Sequence, residues 1–171
     1  MNTANGFSPE SMLKGRMAES MVEELLKKSG NTVYRFGYEA IMQNLTQIKK
    51  SFDAHSDAGE RIRCIPDFIV IDMDGTPVFL EVKFRWNGLL HSDDLTRLKK
   101  IGSFWNAKII FVNSLKKPFF QIASPPYIDS RDGLVAKPLI KETLWKIDPA
   151  IYEEIEALVA KYLSPTLFPL K

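Results

Sequence analysis

The chain has 171 residues, 45% of them apolar, with a formal net charge of +2 and a single cysteine. That length and composition suit one domain with a full core, spanning 1–171. Cys64 alone cannot form an internal disulfide or furnish a cysteine cluster for zinc or for iron and sulfur, which leaves oxygen-ligated hard metals. The opening MNTANGFSPES lacks a basic stretch followed by an apolar run, and nowhere do about 18 uncharged apolar residues follow one another. The expectation is therefore a cytoplasmic protein with no membrane partner.

In chain order, Ser8-Pro9-Glu10 reads as a helix start. Gly30 closes a helix whose Leu13, Met17, Met21, Val22 and Leu25 form an apolar face. Thr32 to Tyr38 reads as a strand. Residues 39–52 have weak helical periodicity, and DAHSDAGER after them reads as an exposed loop. Cys64 to Ile71 and Val78 to Trp86 are rich in β-branched and aromatic residues and read as a hairpin. A second helix begins near Ser92, with Leu95, Leu98, Ile101 and Trp105 at helical spacing. Lys108 to Asn113 reads as a buried strand and Pro118 to Ala123 as a short edge strand. Asp148-Pro149 opens a last helix running to about Leu163, followed by a Pro-rich tail.

Charge is unevenly spread along this order. Between Glu81 and Lys117 there are eight basic residues against three acidic ones. That excess fits a surface facing phosphates, and it equally fits the solvated face of a helix.

The stretch FIVIDMDGTPVFLEVKF, 68–84, holds two motifs. Asp72-Met73-Asp74-Gly75-Thr76 resembles the opening signature of the haloacid dehalogenase phosphatases, which would make Asp72 a nucleophile. That family needs a later Ser or Thr, then a Lys, then an acidic pair. Here Lys83 comes at once, Asp93-Asp94 begin a helix, and Ser114 follows them. Asp, Gly and Pro also make tight turns. A three-residue loop, Met73-Asp74-Gly75 with Gly left-handed, pairs Asp72 with Thr76 and sets Asp67 opposite Glu81. A two-residue loop would put those carboxylates on opposite faces. In the three-residue register Lys83 shares their face, because side chains two apart on a strand share a side. Ile69, Ile71 and Phe79 continue that face, and Phe68, Val70, Val78, Leu80 and Val82 line the other, so the hairpin is expected to lie between helices.

Pro66-Asp67, Glu81-Val82-Lys83 and the helix before them resemble the PD-(D/E)XK nuclease superfamily. The resemblance covers about residues 11–123. It implies an α/β restriction-endonuclease-like fold: an αβββαβ core with a mixed central sheet flanked by helices, leaving 124–171 as a C-terminal helical elaboration. In GRMAESMVEELL the resemblance points to Glu19 as a further metal ligand. At about 100° per residue Glu19 falls beside Leu26 on the border of the apolar face. Glu24 on the opposite border is the second candidate, and Glu23 points further outward.

The implied activity is metal-dependent DNA endonuclease chemistry of the junction-resolvase, repair, restriction or mobile-element type. Asp67, Glu81, the Val82 carbonyl and Glu19 would hold Mg²⁺ or Mn²⁺. Lys83 would orient or deprotonate water or balance charge, and Arg85, Arg97, Lys99 and Lys100 would contact the DNA backbone. A homodimer would serve paired cuts. The rival reading is a nuclease-fold module that binds DNA or protein without cutting, and a lesser one is the phosphatase.

Overall fold

A computed structural model describes residues 8–37, 53, 55–129 and 133–164. The weakly periodic stretch 39–52 and most of the Pro-rich tail lie outside them. Helix α1 spans Pro9–Lys28. Its N-cap Ser8 accepts the Ser11 amide at 3.1 Å, and Pro9 occupies the first turn, where no amide is needed. Strand β1 is Thr32–Arg35, and α2 is Asp57–Arg63. The hairpin follows as β2, Phe68–Ile71, and β3, Pro77–Phe84. Helix α3, Ser92–Trp105, crosses to β4, Lys108–Val112. Strands β5, Phe120–Ala123, and β6, Lys137–Pro138, precede α4, Pro149–Tyr162, which Asp148 caps by accepting the Ala150 amide at 2.9 Å.

The six strands form one sheet in the order β1-β2-β3-β4-β5-β6. Only β3 and β4 run parallel, which requires the α3 crossover; the other pairs are antiparallel. This is a mixed α/β sheet in the order αβαββαβ, the expected αβββαβ order with α2 inserted between β1 and β2. Strand alternation then assigns the two faces. Phe68, Val70, Leu80, Val82, Ile110 and Val112 turn toward α1 and α4 and build the main core with Val22, Leu25, Ile155 and Val159. Ile109 and Phe111 turn toward α3 and Leu98, while Phe79 packs with Ile101, Phe104 and Trp105. The hairpin is thus sandwiched between helices, as its two apolar faces require.

Five expectations need correction. Within DAHSDAGER begins α2, whose seven residues run on to Arg63, with a Ser56 N-cap whose hydroxyl accepts the Gly59 amide at 3.1 Å. β5 is not an edge strand, because β6 pairs outside it. Leu13 is 60% exposed, so the buried face of α1 is Ala18, Met21, Val22, Leu25 and Leu26 instead. Glu23 does not point outward. It is buried, and Lys27 at 2.7 Å and Arg35 clamp it. Strand β1 stops at Arg35, since the Phe36 and Gly37 amides turn aside to the Asp67 carbonyl at 2.8 and 3.0 Å.

Candidate functional site

The site begins with a turn. Gly75 adopts φ +82, the Gly75 amide donates to the Asp72 carbonyl at 3.1 Å, and the Asp72 amide donates to Thr76 at 2.9 Å. Only a residue without a β-carbon takes that backbone easily. Asp72 Oδ1 accepts the amides of Asp74 and Thr76 at 2.9 and 2.7 Å, so this carboxylate caps the loop. The three-residue loop fixes the hairpin pairing of Phe68 with Leu80 and Ile71 with Pro77, and the same register sets Asp67 across from Glu81.

At that end of the hairpin Asp67 Oδ2 accepts the Val82 amide at 2.8 Å, and the Asp67 backbone is pinned by Phe36 and Gly37. A β-carbon on Gly37 would lie 3.4 Å from the Asp67 Cα, so the β1 terminus closes directly over it. Glu81 is 4% exposed. Its Oε1 lies 3.7 Å from the Arg97 guanidinium, while its Oε2 is buried without a hydrogen-bond donor among the described residues. Burial pushes Glu81 up to about 7, offset in part by Arg97 and Lys83 and reinforced by the charge of Glu19. Burial, then the Glu81 charge, likewise pushes Asp67 well above the usual carboxylate range. Two facing carboxylates are both acceptors and repel each other, so the pair requires a shared proton or a cation between them.

Lys83 projects from the same strand face, and its ammonium lies 2.9 Å from Asp94 Oδ1. Asp94 is the residue that sequence reasoning missed. It sits in the first turn of α3, is 5% exposed, accepts the His91 amide at 3.1 Å, and engages both Lys83 and Arg85. Against the cost of burial, its hydrogen bonds to Arg85, Lys83 and the His91 amide hold its carboxyl down at about 2. An acid three residues into a helix is a legible capping pattern, but nothing local shows that it also reaches β3.

The structure brings Asp67, Glu81, Lys83 and Arg97 together on the α3 side of the sheet. Glu19 approaches from α1, partly buried and near enough for its charge to act on Glu81. Arg85 points its guanidinium at Asp94 and the Phe84 carbonyl. Lys99 is exposed, and Lys100 reaches Glu60 at 2.8 Å. Glu24 is exposed and lines a groove of about 410 Å³ between α1 and α4. A second groove of about 400 Å³, lined by Lys99, Gly102 and Tyr127, also excludes the carboxylates.

A hard divalent cation fits this donor set. A buried and a half-buried carboxylate whose proton affinity is raised, one with an oxygen lacking any donor among the described residues, are oxygen ligands that a cation would satisfy. Among the described residues no group of three or more His, Cys, Asp or Glu is gathered into a ready cage. The pair could therefore offer an ion two side-chain ligands.

No family model matches the chain, and no curated protein matches it. Among solved structures it is similar to Hjc, a Holliday junction resolvase from the archaeal hyperthermophile Archaeoglobus fulgidus. The two are 18% identical, with 82% of this chain and 88% of that one covered and a TM-score of 0.37. A likeness of that degree carries no chemistry, which has to come from the side chains themselves.

Proposed function

We propose that this protein is a metal-dependent DNA endonuclease. The observation that carries the reading is the Asp67–Glu81 pair, facing across the hairpin with Glu81 Oε2 lacking a donor among the described residues and Lys83 on the same strand face. Stability alone gives no reason to keep a buried carboxylate beside a half-buried one. Asp67 and Glu81 would hold Mg²⁺ or Mn²⁺, with the Val82 carbonyl and Glu19 completing the set directly or through water. Such an ion, when bound, lowers the pKa of its water and offsets charge on a phosphodiester.

The chain's own residues do the rest. Lys83 is held by Asp94 with its ammonium fixed beside the carboxylates, where it would orient water or balance charge on the phosphate. Arg97 offsets Glu81 and, being half exposed, faces the solvent through which substrate arrives. Arg85 serves the same end indirectly by sharing Asp94, and Lys99 and Lys100 extend the basic helix. Asp72 has no catalytic part in this account, since its carboxylate caps the turn. A homodimer would suit paired cuts, and a cytoplasmic setting suits a DNA substrate.

The binding-module reading is favoured by one observation, that Lys83 and Arg97 are already ion-paired. The test is cleavage of a labelled panel of duplex, single strand, flap and four-way junction with Mg²⁺, Mn²⁺ or EDTA. Cutting that appears with metal and stops with EDTA supports the nuclease, and the preferred substrate separates the junction-resolving, repair and restriction types. Binding without cutting under every metal condition would support the module instead.

A further inference from the structure

The segment expected to be a loop, α2, carries Arg61 and Arg63, both exposed. Two contacts, Glu60–Lys100 and Arg61–Phe104, fix this short helix against α3, and a third pairs Arg63 with Glu60 inside α2. Glu60 accepts from Lys100 at 2.8 Å, Arg63 lies 4.0 Å from Glu60, and the Arg61 guanidinium sits over the Phe104 ring at 4.9 Å. Cys64, which ends α2, is buried in one cluster with Ile101 of α3. Burial pushes its thiol up, and the charges of Arg97, Lys100, Glu81 and Arg63 all act on it. Arg97 of α3, 3.7 Å from Glu81 Oε1, joins this layer to the carboxylates.

The exposed charge of this layer is Arg61, Arg63, Arg97, Lys99 and, half exposed, Lys100. It is set against Asp57, Glu60 and Asp93, and Glu60 is already shared by Lys100 and Arg63. The opposite layer has the other sign: α4 carries Glu153, Glu154 and Glu156 against Lys161. A polyanion approaching the molecule is steered to the α2–α3 side, the side of the sheet that bears the carboxylate pair.

Given the nuclease reading on which this rests, we infer that α2 and α3 together form the surface that grips the DNA backbone beside the cut, with Arg61 and Arg63 as phosphate contacts. Arginine suits the task because its planar fork meets phosphate oxygens in pairs and stays charged. Each such contact displaces condensed counterions, which makes the contribution measurable apart from catalysis.

The experiment is fluorescence anisotropy of a short labelled DNA duplex in EDTA, titrated at several salt concentrations. Wild type is compared with Arg61→Ala/Arg63→Ala, Arg61→Lys/Arg63→Lys, Arg63→Ala alone, and Lys161→Ala on α4 as control. The double alanine variant should lower the slope of log affinity against log salt by about 2, and affinity by about tenfold near physiological salt. The lysine pair should recover most of that slope, and Lys161→Ala should match wild type in affinity and in cutting. Arg63→Ala keeps the Arg61–Phe104 stack, so a loss of about 1 in slope stays readable even if the double variant unfolds. Wild-type slope and affinity in every α2 variant, with cutting intact, would remove α2 from the surface and leave the nuclease reading standing. A wild-type chain that neither binds nor cuts DNA would overturn both.

Discussion

Glu81 occupies a place where a carboxylate is costly to ionise, and the cost has a pH signature. Its unfolded-state value of 4.5 rises to about 7 in the folded chain through burial. Protonation therefore favours folding: this contribution is full below about 4.5 and is lost as pH rises through about 7. In EDTA the melting temperature should fall between pH 5 and pH 8, Glu81→Gln should flatten that fall, and Mg²⁺ should restore the wild type at pH 8. A flat profile would show that burial does not raise the Glu81 carboxyl, and equal Mg²⁺ stabilisation of Glu81→Gln would show that Glu81 does not hold the ion. Asp94 runs the other way. Held at about 2 against a usual 3.8, it stabilises above about 3.8 and loses that contribution as pH falls through 2. Removing it strands the ammonium of Lys83 and the guanidinium of Arg85. Asp94→Ala should cost about 3 kcal/mol in urea unfolding, and a loss below about 1 kcal/mol would make the network dispensable.

Among the elements, the hairpin was the most legible because its geometry hangs on one residue. The placement of Gly75 in the FIVIDMDGTPVFLEVKF stretch selects a three-residue loop, and the loop selects the register that faces Asp67 with Glu81. Gly75→Val forces a β-branched residue to φ +82 and should destabilise by about 1–2 kcal/mol while lowering cutting, since the register is what aligns the site. An unchanged melting temperature would contradict the turn's role. Helix α2 was illegible for the opposite reason. Seven residues with only Gly59 buried carry no periodicity, and contacts to α3, remote in sequence, hold it. β6 escaped notice because two residues, Lys137–Pro138, make no pattern, so β5 looked like an edge. The burial of Glu23 depends on Arg35 coming from β1, a partner that helical geometry alone cannot supply.

At the scale of the whole molecule, the segment that looked like an elaboration shares the main core. Leu139, Trp145, Tyr152, Ile155, Val159 and Leu163 pack with the α1 residues Val22 and Leu25 on the side of the sheet away from the carboxylates. The nuclease-like pattern ended near Ala123, and sequence periodicity showed α4 but not what it covers. Ile155→Ala should cost about 2–4 kcal/mol in urea unfolding, and a chain cut before Asp148 should fail to fold cooperatively. Near-wild-type stability of the shortened chain would show that the α1 face needs no cover. No described helix is long and apolar enough to cross a membrane. One face of the sheet is thus given to a core closed by both ends of the described chain, and the other to α3, the carboxylates and the basic layer.

The central claim, that Asp67, Glu81 and Lys83 perform phosphodiester chemistry while the neighbouring aspartates only shape a turn, is tested most directly by single-turnover cleavage of the preferred DNA with Mg²⁺. Wild type would be set against Asp67→Ala, Lys83→Ala and Asp72→Ala, each shown to be folded. The account predicts that the first two lose at least about a hundredfold in rate and that Asp72→Ala cuts within a few-fold of wild type. Full cutting by Asp67→Ala, or loss of activity with Asp72→Ala in a folded chain, would contradict it.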